Sequence, residues 1–150
     1  METKSGNENK QIARRVFEAF EKDNFNELDK IVDSTKFKLH FPGKPEALKF
    51  DEAIKLNQEY RDAFPDVKIT IEKQIAEGDF VLTRLTYSGT NKGSLQGIPA
   101  SGKKIKVNGM ALQQIVNGKV VEEWDEFDTL GMMMQIGAIP EMETMNNSKK

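Results

Sequence analysis

Five carboxylates fall within seven residues of the run VVEEWDEFD: Glu122, Glu123, Asp125, Glu126 and Asp128. If the run is a strand, alternation places Val121, Glu123, Asp125 and Phe127 on one face and Val120, Glu122, Trp124, Glu126 and Asp128 on the other. A carboxyl between Val121 and Phe127 is expected to be partly desolvated, and its like-charged neighbours act in the same direction, so its pKa should rise. That is the environment of a group that moves protons near neutral pH, and it makes Asp125 the candidate general acid or base. The competing reading is an edge strand whose acidic face is simply solvated.

Other chemistries are limited by composition. The 150 residues include no cysteine and a single histidine, His40. Disulfides, thiol nucleophiles, the common zinc sites and multi-histidine metal sites are therefore excluded, and no metal or cofactor is expected. A net charge of −2 offers no basic field for nucleic acid. The amino terminus METKSGNENK has no apolar run after its charges, so neither a signal peptide nor a membrane anchor is expected, and a cytoplasmic protein is.

The elements that must position Asp125 are readable from periodicity. Residues 1–8 are polar and expected to be a disordered tail, as are 141–150, leaving one domain over 9–140. Ile12, Ala13, Val16, Phe17 and Phe20 recur at helical spacing, and Phe25, Leu28, Ile31 and Val32 predict a second, shorter helix. Phe37, Leu39 and Phe41 alternate with Lys36, Lys38 and His40, predicting a short strand. A third helix is predicted from an Asp51 N-cap to Phe64, stopped by Pro65. Beyond Pro65 the period becomes two: Val67, Ile69, Ile71 and Ile75 define a strand, Gly78-Asp79 a turn, and Phe80 to Thr90 the return. The glycine-rich 91–103 stretch predicts a loop, and Lys104 to Val116 a strand with a bulge or bend at Gly109. Asn117-Gly118 then predicts a two-residue hairpin turn into the acidic strand. Helices first and antiparallel strands after is an α+β layout.

Several of these stretches together resemble one family. Gly118-Lys119 to Asp125, Asp128, Gly131 and Gln135-Ile136-Gly137, with Ala63-Phe64-Pro65-Asp66, Tyr87-Ser88-Gly89-Thr90 and Gly97 to Lys104 upstream, are similar in order and spacing to the SnoaL-like polyketide cyclases, or ester cyclases, of the NTF2-like superfamily. The likeness spans roughly residues 10 to 140. It implies an NTF2-like (cystatin-like) cone, with the amino-terminal helices packed in a curved antiparallel sheet around a hydrophobic pocket. It also implies a cofactor-free intramolecular aldol closure with Asp125 as the catalytic aspartate. The expected ligand is an apolar, carbonyl-bearing small molecule. Where the antibiotic-pathway members carry basic or imidazole groups before the aspartate, this chain carries Glu122, Glu123 and Trp124, which leaves an enolate with less local stabilisation.

The resemblance makes His40, Tyr60, Trp124, Phe127 and Met110 candidates for substrate binding. Tyr60 ranks above Tyr87 because the third helix borders the pocket in this superfamily. His40 as a surface residue, Trp124 at a subunit interface and Met110 as core filling are the alternatives. Asp128 reads best as the N-cap of a short final helix. Apolar residues on both faces of Lys104 to Val116 predict a homodimer or higher homo-oligomer through the outer sheet face. The rival to an enzyme is a non-catalytic ligand-binding or dimeric scaffold protein.

Overall fold

The computed structural model describes residues 3–140. Its first helix, α1 (Lys4–Glu21), starts inside the stretch 1–8 that was expected to be disordered, because Thr3 supplies a cap whose Oγ1 accepts the Gly6 N–H at 2.9 Å. Gly6 is buried in this first turn, beside the Ala76 side chain. The expected tail at 141–150 lies outside the described residues. A 3-10 turn (Phe25–Glu27) leads into α2 (Leu28–Ile31), and both Leu28 and Ile31 are buried. Helix α3 (Phe50–Ala63) begins one residue before Asp51, and its N-cap is Lys49, whose N–H is accepted by the Glu52 carboxylate at 3.0 Å. An acidic residue at the third helical position reaching back to the cap does the work that Asp51 was expected to do.

Five strands form one sheet in the order β1 (Lys38–His40), β5 (Lys119–Phe127), β4 (Lys104–Val116), β3 (Phe80–Thr90), β2 (Lys68–Glu77). The β2–β3, β3–β4 and β4–β5 pairs are antiparallel, the first and last joined by tight turns and β3–β4 by the 91–103 loop. Asn117 and Gly118 both take positive φ, 52° and 78°, which only such residues adopt cheaply. The β1–β5 pair is parallel, so the sheet is mixed where an antiparallel one was expected. That pairing is long-range, made as the chain leaves α2, and no turn chemistry announces it.

Two irregularities decide which side chains face inward. Between β4 and β5 the register slips, with Gln114 opposite Glu122 but Ile115 opposite Val120, so Val121 is an extra residue. Val120, fully buried, therefore joins Glu123, Asp125 and Phe127 on the inner face in place of Val121. In β2 a shift between Ile71 and Lys73 turns Ile75 outward, 53% exposed, although it continued the apolar alternation in the sequence.

Gly109 is not at a bulge, since its pairing with Leu85 and Phe127 is continuous on both sides. A Cβ there would lie 2.9 Å from the Phe127 Cβ and 3.0 Å from the Tyr87 ring, so the glycine permits two aromatic side chains to close over β4. Helix α4 (Thr129–Gln135) starts at Asp128, whose Oδ1 accepts the Gly131 N–H at 2.8 Å as expected of an N-cap. Gln135 ties α4 to β4, accepting the Lys106 N–H at 2.6 Å and donating to the Lys106 carbonyl at 3.1 Å. The helices cover the inner sheet face, and the core between them runs from Ile31, Leu39 and Val120 through Leu85 and Ala111 to Val107 and Met132.

Candidate active site

The inner face of the sheet and the helices enclose a cavity of about 100 Å³. Its walls are apolar and aromatic: Val16, Phe17 and Phe20 come from α1, Phe41 from the segment after β1, Ile105 and Val107 from β4, and Met132 from α4. Five polar side chains face it, Asn57 and Tyr60 of α3, Tyr87 of β3, and Glu123 and Asp125 of β5. An apolar enclosure with a few convergent polar groups is the usual form of a small-molecule site.

Phe127 organises the aromatic wall, packing at centroid distances of 5.4 Å from Phe41, 6.1 Å from Tyr60 and 6.3 Å from Tyr87. The Tyr60 contact is edge-to-face at 90°, an arrangement favoured by the ring quadrupoles. Burial, with a smaller push from Glu59, raises the Tyr60 hydroxyl to about 12. Tyr87 is likewise raised, by burial first and then by the charges of Asp125 and Glu123. Both phenols therefore stay neutral at physiological pH and remain O–H donors.

The two carboxyls differ in their partners. Glu123 is buried, and its Oε1 accepts the Nε2–H of Gln113, the residue opposite it on β4, at 2.6 Å. Asp125 has its Oδ1 sealed from solvent with no hydrogen-bond partner among the described residues. Burial is the main reason its carboxyl is held well above the usual carboxylate range, followed by the neighbouring Glu123 carboxyl and the Glu126 charge. Glu123 is also raised by burial, against the lowering effect of the neighbouring Asp125 carboxyl and of its bond from Gln113. A carboxyl whose pKa is raised inside an apolar cavity is suited both to give and to take a proton there.

Of the six residues expected at the site, the cavity brings together Asp125, Tyr60 and Phe127. His40, Trp124 and Met110 lie on the opposite face of the sheet. His40 sits opposite Trp124 across the β1–β5 pair, stacks on its ring at 5.2 Å and bonds Glu122 through Nε2 at 2.6 Å. Met110 is 49% exposed. The reason is parity: all three are one residue out of step with the inward set, so they cannot reach a ligand in the enclosed cavity. They belong instead to the outer face, where Met110, Trp124, Leu82 and Leu112 border an open depression of about 520 Å³. That depression is the larger of the two, but its carboxylates Glu126 and Asp128 are exposed, and the buried pair is in the inner cavity.

Tyr87, ranked below Tyr60, lines the cavity beside it, while Gln113, Glu123 and Asn57 were not singled out. Gln113 was findable, because it shares parity with Ala111 and Ile115 in an otherwise apolar set, and a glutamine there must have a buried partner. Among the described residues no group of three metal-ligating side chains is placed to hold an ion, and no helix is long and apolar enough to cross a membrane.

Comparison with known proteins gives this geometry a family. The model of the SnoaL-like polyketide cyclase family matches residues 10–136. The chain is 27% identical over 134 residues to aklanonic acid methyl ester cyclase DauD of Streptomyces sp. (strain C5), covering 84% of this chain and 80% of that protein. Among solved structures, a SnoaL-like polyketide cyclase from Jannaschia sp. CCS1 superposes with a TM-score of 0.85 at 23% identity, over 93% of this chain and 99% of that one. AclR of Streptomyces galilaeus superposes with a TM-score of 0.82 at 22% identity, over 96% and 91% of the two chains. At those identities the superpositions speak to the fold, and the match over residues 10–136 speaks to descent: the chain belongs to the SnoaL-like polyketide cyclase family.

Proposed function

We propose that the protein closes a ring in an apolar, carbonyl-bearing small molecule by cofactor-free proton transfer, with Asp125 as the acid/base residue. Membership of the family supports a cofactor-independent, cyclase-type function. The observation that carries the finer reading is the Asp125 carboxyl, raised by burial and facing an aromatic cavity. In an intramolecular aldol closure the C–H bond next to one carbonyl breaks, the new carbanion forms a C–C bond to a second carbonyl carbon, and that carbonyl oxygen takes up a proton. One carboxyl can move both protons in turn, and nothing is consumed. Tyr60 and Tyr87, as neutral donors, are suited to hold a carbonyl oxygen as charge develops on it. The apolar walls exclude water and hold the two reacting carbons together, which supplies much of the advantage of a folded site.

The test is ring closure of aklanonic acid methyl ester, the substrate in the name of the relative DauD. Wild-type protein is expected to convert it to a product of unchanged mass and altered chromatographic retention. Recovery of the ester unchanged, at protein concentrations where it binds, would leave the cavity as a binding site and not a cyclase.

A further inference from the structure

The cavity holds a second carboxyl for which a single acid/base residue leaves no task. Glu123 lies on the same face of β5 as Asp125, and Gln113 anchors it from the neighbouring strand by the 2.6 Å bond to its Oε1. Two ionised carboxylates offer each other only acceptors, so side by side in an apolar cavity they would repel and leave an oxygen without a partner. Asp125 Oδ1 is such an oxygen, sealed from solvent and reached by no donor among the described residues. One acid proton between the groups removes both faults, turning a repulsion into a hydrogen bond. Gln113 sets the asymmetry, since its N–H favours the ionised form of Glu123 while no amide among the described residues donates to Asp125 Oδ1.

We propose that Glu123 and Asp125 share a single acid proton, that Gln113 fixes Glu123 as its acceptor, and that Glu123 is thereby the positioning residue that keeps Asp125 loaded. Its consequence for the reaction, though not the pairing itself, rests on the cyclase reading above. The pair begins with one proton and one negative charge. As its own proton passes to Glu123, Asp125 takes the proton from the carbon next to the carbonyl, whose C–H electron pair stays on the substrate as the enolate. After the C–C bond forms, the alkoxide oxygen receives one proton and the pair returns to its starting state. Charge is thus passed between pair and substrate, and the cavity never holds two carboxylate charges.

The groups around the pair agree with this. Tyr87 of β3 and Tyr60 of α3 are neutral phenols, α1 and α4 present apolar side chains, and Glu126 adds a like charge that opposes ionisation of Asp125. No cation among the described residues acts on either carboxyl, and His40 is engaged by Glu122 on the outer face.

The experiment is a carbon-13 NMR titration of the full-length protein labelled at the Asp and Glu side-chain carboxyls, from about pH 4 to 9, with assignments from Asp125→Asn and Glu123→Gln. In the wild type one carboxyl of the pair is expected to remain protonated through neutral pH. In Glu123→Gln the Asp125 midpoint is expected to fall by about one pH unit or more, because a repelling acceptor has become an amide donor. If Glu123→Gln does not fold, Asp125→Asn gives the reciprocal readout: Glu123, now accepting from the introduced amide, is expected to titrate lower than in the wild type. Both carboxyls ionising below about pH 5 in the wild type, or an Asp125 midpoint that Glu123→Gln does not move, would overturn the proposal. A shared proton without ring closure counts against the cyclase reading alone, and ring closure with ordinary titrations counts against the pair alone.

Discussion

An ionised Asp125 is penalised by the fold, since burial and the neighbouring carboxylates all favour its neutral form. The folded state therefore binds its proton more tightly than the unfolded chain does. Stability from this group is complete below the unfolded carboxylate pKa and is lost as pH rises through the folded value. Glu123, raised for the same first reason, adds to the trend. Asp125→Asn keeps the shape and offers an amide to Glu123 but cannot ionise, so its melting temperature should gain on the wild type as pH rises from about 4 to 8. At about 1.4 kcal/mol per unit of pKa difference, the expected gain is roughly 3–6 °C for each unit. Thermal melts of the two proteins check this, and parallel curves would show that Asp125 ionises freely.

Among the elements, β4 is the one that sets the cavity wall, through Gly109 and Gln113. Gly109→Ala places a methyl against the Phe127 side chain and the Tyr87 ring at 2.9 to 3.0 Å, and both rings belong to the site. Overpacking of this kind costs about 1–3 kcal/mol, so a fall in melting temperature of several degrees is expected by calorimetry, with weaker ligand binding. The need for glycine at position 109 was readable in the sequence, though as a bend and not as a close approach. Likewise the inward set of β5 was legible from alternation except at Val121, whose place Val120 takes, and Asp125 with Phe127 lines the cavity. The partner of Glu123 was not legible. Counting back from the Asn117-Gly118 turn without a bulge would pair Gln113 with Glu122; the extra residue at Val121 moves it to Glu123. A bulge leaves no local mark in a run of valines and glutamates. For His40 and Trp124, by contrast, alternation already pointed to the outer face, and it was the family resemblance that drew them to the site; only their stacking on each other, across the long-range β1–β5 pair, was not legible.

At the scale of the molecule, the two faces of the sheet have separate tasks. The inner face carries the carboxyl pair and the aromatic wall, and the outer face exposes Ile75, Phe80, Leu82 and Met110 beside Trp124. We propose that a second copy of the chain covers this outer surface, since side chains of this size seldom cluster exposed without a partner. Sedimentation equilibrium is expected to give a mass of twice 17.0 kDa or more at micromolar concentration, and a monomer mass would contradict it. None of Ile75, Phe80, Leu82 and Met110 lines the cavity, so dimerisation and proton transfer should be separable by mutation. What unites the fold, the family and the cavity is the assignment of proton transfer to Asp125. The measurement that tests it most directly is the initial rate of ring closure of aklanonic acid methyl ester by wild type and Asp125→Asn, alongside the affinity of each for the ester. The expected result is a rate lower by about 10²–10⁴-fold with affinity nearly unchanged, the loss typical of removing a placed proton-transfer group. An Asp125→Asn protein that closes the ring at the wild-type rate would contradict the account.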